Sequence, residues 1–119
     1  MSVRELDDKP QIFNHFPDDR YRWLELHDHH KSYAYAAIAE RGDDMELHLS
    51  IVHWTPTARR NIQKDIEWLK AETRRLGKKK IIGIRVDGQG KFDPNLFRFA
   101  TLFGFTDLCV LQTATLHVN

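Results

Sequence analysis

The segment "MELHLSIVHWTPTARRNI" (residues 45–62) decides the fold, because the spacing of its apolar residues changes within it. In its first half, apolar side chains occupy alternate positions, as in a strand with one buried face: Met45, Leu47, Leu49 and Ile51. Thr55 is a suitable N-cap, and Pro56 suits the first position of a helix. Apolar residues then recur at helical spacing: Ala58, Ile62, Ile66, Leu69 and Leu76. The segment therefore predicts a strand over 45–54 and a helix over 55–76.

The rest of the chain predicts a layered α+β fold with a mixed central sheet, one long helix and one short helix. Two strands precede the segment, at 21–28 and 30–40, and a strand at 80–87, a short helix at 95–103 and a last strand at 107–118 follow it. The strand at 80–87 is apolar on both faces, which is typical of a central strand. It should run parallel to 45–54 after a right-handed crossover.

Composition indicates one domain over residues 1–119, with residues 1–20 as an arm or one short helix. Apolar residues make up 41% of the chain and charged residues 29%, and the formal net charge is +1. This balance predicts neither a nucleic-acid partner nor a membrane partner. The one cysteine, Cys109, rules out an internal disulfide framework. Without an apolar leader at the N-terminus, we expect a cytoplasmic protein.

The strand-to-helix junction is a candidate anion site, because free N–H groups and the helix dipole attract phosphate at a helix N-terminus. Thr55, Thr57, Arg59 and Arg60 add hydroxyls and positive charge there. The alternative is a self-capped helix start whose arginines are solvated.

The polar residues of strand 45–54 are candidates for acid–base chemistry. Glu46, His48 and His53 could each serve as a general base. The alternative is that they form the solvent face of a half-buried strand. A zinc site from His27, His29 and His48 is a third hypothesis, although no Cys/His motif supports it and we expect no metal.

The order of elements and the segment "DPNLFRFATLFGF" (93–105) resemble the core of the GCN5-related N-acetyltransferase superfamily, which covers residues 21–118 here. The chain is similar in layout to small, diverged acetyltransferase-like proteins of tailed phages. The resemblance implies a reduced N-terminal region, since the family normally has two helices on the acceptor side.

The resemblance also implies that acetyl-CoA binds at the strand end and the following helix N-terminus. The contacting residues would be Val52, His53, Trp54, Thr57, Arg59 and Arg60, with Asn95 close to a family asparagine position. The family's glycine-rich pyrophosphate loop is replaced here by "HWTPTARRNI" (53–62), and Pro56 removes one N–H donor. The family's catalytic tyrosine position is occupied by Ala100.

Two functions follow from these observations. The first is a diverged acetyltransferase-fold protein with weak or lost catalysis, which acts as a binding or structural module of phage or prophage origin and has a CoA thioester or a protein as its partner. The second is an active enzyme that transfers an acetyl group from acetyl-CoA to an amine, with Glu46 as the base or His48 or His53 in that role. An open gap between strands 45–54 and 80–87 would favour cofactor binding.

Overall fold

A computed structural model describes residues 3–28, 31–85, 94–108 and 114–118 of the chain. It divides into two compact units, Met1–Val86 and Asp87–Asn119. The single domain expected over residues 1–119 stays a prediction.

The first unit is a five-stranded mixed sheet with one long helix. Its strands are β1 (Val3–Leu6), β2 (Arg22–His27), β3 (Ser32–Arg41), β4 (Asp44–Ile51) and β5 (Lys80–Gly83). They lie side by side in chain order; the first three pairings are antiparallel, and β4 and β5 are parallel. The predicted α+β class and the parallel crossover are therefore confirmed.

Helix α1 (Pro56–Arg75) connects β4 to β5. The Thr55 hydroxyl accepts a hydrogen bond from the N–H of Ala58 at 3.0 Å, which caps the first turn. At the other end, Gly77 has a φ of +73°, and the N–H of Lys78 donates to the carbonyl of Thr73. This left-handed glycine closes the helix in a Schellman motif, so both predicted ends are correct to within one residue.

Each face of the sheet has its own apolar cluster, because neighbouring residues of a strand point to opposite faces. One cluster includes side chains of α1: Leu24, Ala36, Ile38, Met45 and Leu69 are its buried members. The other lies beneath the segment that joins β1 to β2: Phe13, Trp23 and Ala37 are its buried members, with Leu6, Phe16, Tyr21 and Tyr35 packed against them.

Two predictions for this unit are wrong. Residues 1–20 contain a strand, β1, in addition to a 3-10 helix at Gln11–Phe13. The strand "VREL" is too short to show a clear apolar alternation, and its pairing with β2 holds it in place. Strand β5 is shorter than expected and, among the described residues, lies at the edge of the sheet. Its apolar residues pack only partly, since no further strand covers it there.

The second unit contains helix α2 (Pro94–Leu102), close to the predicted range of 95–103. Residues 107–108 and 114–118, part of the predicted last strand, are not in a strand. The middle of that predicted strand and the "GQG" turn (88–90) lie outside the described residues.

Candidate functional site

Glu46 and His48 of β4 lie inside the protein. Their exposed fractions are 3% and 9%, so the interpretation of this face as solvent-facing is wrong. The cover is the segment from Lys9 to Tyr21, between β1 and β2. Its aromatic side chains close over the part of the sheet that carries both residues.

The Glu46 carboxylate accepts hydrogen bonds from three side chains. Its Oε1 atom accepts from Nη2 of Arg20 at 2.7 Å, and its Oε2 atom accepts from the Tyr21 hydroxyl at 2.6 Å. The Nε2 atom of His48 lies 2.6 Å from the same Oε2. Because an ionised carboxylate only accepts, Nε2 carries a hydrogen in this arrangement. We call these four residues the Glu46 cluster.

The cluster favours the ionised form of Glu46. Burial raises the pKa of Glu46, but the hydrogen bonds from Tyr21, His48 and Arg20 outweigh this effect and hold the pKa below its usual value. The pKa of the Tyr21 hydroxyl is raised by burial and by its bond to Glu46. At neutral pH the cluster therefore contains a carboxylate and a protonated phenol.

Aromatic rings close the cluster on the side away from α1. The Phe16 ring meets the His48 imidazole edge to face, with centroids 4.9 Å apart, and the Tyr21 ring lies 5.6 Å from the imidazole. Lys9 stabilises this segment from within. Its Nζ donates to the carbonyl oxygen of Phe16 at 2.5 Å and forms an ion pair with Asp18 at 2.5 Å. Sequence reasoning missed Arg20, Tyr21 and Phe16; the apolar knot "FNHFPDD" (13–19) was the available signal.

A β-bulge follows directly after Ile51, the last residue of β4. The N–H groups of Val52 and His53 both donate to the carbonyl of Tyr33, at 2.9 and 3.0 Å. Of the three predicted cofactor residues here, Val52 is 49% exposed and Trp54 is 45% exposed, whereas His53 is half-buried. These residues connect the last residue of β4 to Thr55, the N-cap of α1.

Strands β4 and β5 stop pairing halfway along β4. Their ladder runs from Asp44 and Lys80 to Leu47 and Gly83, and the N–H of Ile84 adds a bond to the carbonyl of Leu47. Backbone groups of alternate residues point to the same neighbouring strand. The amides of Leu49 and Ile51 therefore face the side of β5 past the point where β5 has ended. This edge of β4 has no strand partner among the described residues.

The helix start next to this edge is self-capped. Pro56 has no N–H, Ala58 donates to the Thr55 hydroxyl, and Arg59 donates to the Thr55 carbonyl. Of the first three helical positions, only Thr57 keeps an N–H for a ligand. The side chains of Arg59 and Arg60 are exposed, and Nη2 of Arg60 donates to the Thr57 hydroxyl at 3.3 Å.

Asn95 is exposed in the first turn of α2, in the second unit. His27 lies at the end of β2, and His29 lies outside the described residues. Among the residues that the structure describes, no group of three or more His, Cys, Asp or Glu side chains is placed to hold a metal ion. None of the described helices is both long and apolar enough to cross a membrane.

No protein-family model matches the chain, and no curated protein matches it either. Solved structures, in contrast, match the chain. The aminoglycoside acetyltransferase AAC(6')-Iy, bound to the bisubstrate analogue CoA-S-monomethyl-acetylneamine, superposes with a TM-score of 0.65 at 10% identity, covering 98% of this chain and 97% of that chain. The aminoglycoside acetyltransferase meta-AAC0020, from an uncultured soil metagenomic sample and bound to sisomicin, gives a TM-score of 0.57 at 14% identity, covering 84% and 68%.

These similarities define the class of the fold. The mixed five-stranded sheet, the crossover helix and the short second helix form the fold of the GCN5-related N-acetyltransferases. At 10–14% identity the similarity establishes the fold alone. The activity has to be argued from the residues of this chain.

Proposed function

We propose that this protein is an acetyltransferase-fold binding module that holds a CoA thioester at the open edge of β4 and has weak or no acetyl-transfer activity. The observation that carries the proposal is the Glu46 cluster. A general base needs a free lone pair within reach of the substrate and a pKa near the working pH. Glu46 is buried, accepts three hydrogen bonds and has a lowered pKa.

The binding half of the proposal rests on the edge of β4 beyond its last described bond to the β5 side, that of Leu47 with Ile84. The amides of Leu49 and Ile51 can pair with the amide groups of a pantetheine arm, as another strand would pair with them. Arg59 and Arg60 stand at the adjacent helix start, where their charges suit a pyrophosphate. One of the similar solved structures holds a CoA-based analogue. CoA is therefore the ligand to test first.

Calorimetric titration of the full chain with acetyl-CoA tests the binding half. We expect saturable binding at micromolar to millimolar ligand, weakened about tenfold or more in the variant Arg59→Ala/Arg60→Ala, since a lost contact of 1.4 kcal/mol is tenfold in affinity. Arg74→Ala is the matched control, an exposed arginine in the last turn of the same helix. No heat of binding at millimolar acetyl-CoA refutes this half.

Release of free CoA, followed with a thiol-reactive dye, tests the catalytic half. The protein is incubated with acetyl-CoA and primary amines, including sisomicin and a polyamine, and the signal of the protein's own Cys109 is subtracted. We expect no release above the rate without protein. Turnover that disappears in a folded His48→Ala variant would contradict lost catalysis.

The second candidate function is an active N-acyltransferase, and the side-chain arrangement of His48 favours it. With Nε2 bound to Glu46, the Nδ1 atom of a neutral imidazole is an acceptor, which is how a carboxylate orients a histidine base. The segment over the cluster would have to open before an amine reached His48. A phage or prophage origin, a protein partner and a cytoplasmic location stay predictions from the sequence.

A further inference from the structure

We infer that Glu46, Tyr21 and His48 form a binding site for an organic cation with N–H donors, and that Arg20 occupies this site as an internal ligand. The inference deepens the proposed function, because it gives the reason why the acceptor side of the fold is closed. It assigns the site a ligand class: alkylguanidinium or alkylammonium groups.

The fixed part of the site is acidic and aromatic. Glu46 stands on β4 in the interior of the sheet and is more than nine-tenths buried. Its bonds from Tyr21 and His48 both go to Oε2, whereas Arg20 donates to Oε1. The lowered pKa of Glu46 keeps it charged at neutral pH. A buried carboxylate beside an aromatic ring attracts a cation by ion pairing and by cation–π contact.

Arg20 makes the contacts that such a ligand would make. Its Nη2 donates to Oε1 of Glu46 at 2.7 Å, its Nη1 donates to the Tyr21 hydroxyl at 2.9 Å, and its guanidinium carbon lies 5.1 Å from the centre of the Tyr21 ring. One oxygen of Glu46 thus accepts from Arg20, while the other accepts from the two remaining residues of the cluster.

Arg20 is also the member of the cluster that can leave. Its side chain is 45% exposed, against 4% for that of Glu46. It belongs to the irregular stretch between the 3-10 helix and β2, so its departure breaks no strand or helix pairing. A half-exposed ion pair is weak, because water competes for both partners. A ligand cation can therefore replace it without unfolding the sheet.

Chemical rescue tests the inference. The full-length Arg20→Ala variant is heated with increasing ethylguanidinium chloride at constant ionic strength, balanced with sodium chloride and with no CoA present. We expect the melting temperature of the variant to rise and then level off as the ethylguanidinium concentration increases. The melting temperature of the wild-type protein, whose site is filled by Arg20, should not rise. The double variant Arg20→Ala/Glu46→Gln should lose the rise.

Arg4→Ala is the matched control. Arg4 pairs with Glu25 across β1 and β2 at 3.0 Å, but its side chain is 63% exposed. The melting temperature of this variant should respond to the probe as the wild-type protein does. If Arg20→Ala does not fold, Arg20→Gln takes its place. Equal responses in the Arg20 variant and the Arg4 variant would overturn the inference. Because CoA is absent, this result is independent of the thioester experiments.

Discussion

The variant Glu46→Gln tests how much the Glu46 cluster contributes to the stability of the fold. The amide has one acceptor oxygen in place of two. If this oxygen takes the position of Oε2, it keeps the bonds from Tyr21 and His48, but the amide nitrogen then faces Nη2 of Arg20, donor against donor. Arg20 is half-exposed and can turn to water, so its loss adds little.

The cost therefore comes from the two buried bonds. A hydrogen bond to a charged group contributes about 1.5–3 kcal/mol and one between neutral groups about 0.5–1.5 kcal/mol, so each bond weakens by roughly 1 kcal/mol. We expect the free energy of unfolding in urea at neutral pH to fall by about 2 kcal/mol. Glu25→Gln is the matched control: its partner Arg4 is largely exposed, and the change should cost less than about 1 kcal/mol.

The pH dependence of the same variant gives a second check. The pKa of Glu46 is lower in the folded protein than its usual value. Its stabilisation is therefore present above the unfolded pKa of a glutamate, which is about 4.3. It is lost as the pH falls through the folded pKa. The stability difference between the wild-type protein and Glu46→Gln should therefore be largest at neutral pH and shrink on acidification below about pH 4.3. A difference that stays constant or grows in acid would refute the assignment of a charged, hydrogen-bonded Glu46.

Three further substitutions test the frame that holds the site. Tyr33→Phe removes a hydroxyl that donates to Asp65 of α1 at 2.5 Å and should cost about 1.5–3 kcal/mol in urea unfolding, whereas Tyr35→Phe should cost less than half as much. Thr55→Ala removes the cap of α1 and should lower the unfolding free energy by about 1 kcal/mol, seen also as faster amide exchange in the first turn. Gly77→Ala forces a β-carbon into a left-handed backbone with no neighbour within 4 Å, so calorimetry should record a purely conformational cost of about 1–2 kcal/mol. Unchanged stability would contradict the Tyr33 hydrogen bond, the Thr55 cap or the left-handed backbone of Gly77, respectively.

The parts of the fold that the sequence predicts well are those stabilised by local patterns. The alternation along β4, the Thr-Pro start and the helical spacing up to Leu76 each lie within one segment, and each matches the structure closely. Strand β1 was missed because its four residues carry no such pattern and are held by pairing with β2 across fifteen intervening residues.

The candidate site was predictable only in part for a related reason. Glu46 and His48 could be named from the sequence, since they alternate with the apolar face of β4. The burial of Glu46 and His48 could not be predicted. The donors Arg20 and Tyr21 lie more than twenty positions earlier, in a stretch without regular structure. The sequence signal for the covering segment was an aromatic pair three positions apart, Phe13 and Phe16.

In the proposed function, the geometry of Glu46 separates the binding of a thioester from the transfer of its acetyl group. We propose that a cofactor reaches the edge of β4 and the start of α1 while the cover stays closed, because the cover contacts Glu46 and His48 on the face of the sheet away from α1. An acceptor amine, by contrast, meets Glu46 only where Arg20 already donates to it. A carboxylate with a lowered pKa is a poor base, because the hydrogen bonds that stabilise its charge also weaken its affinity for a proton. Transfer with Glu46 as the base therefore requires the release of Arg20 first. A variant that binds CoA unchanged but gains turnover when Arg20 is removed would show that binding and transfer are independent.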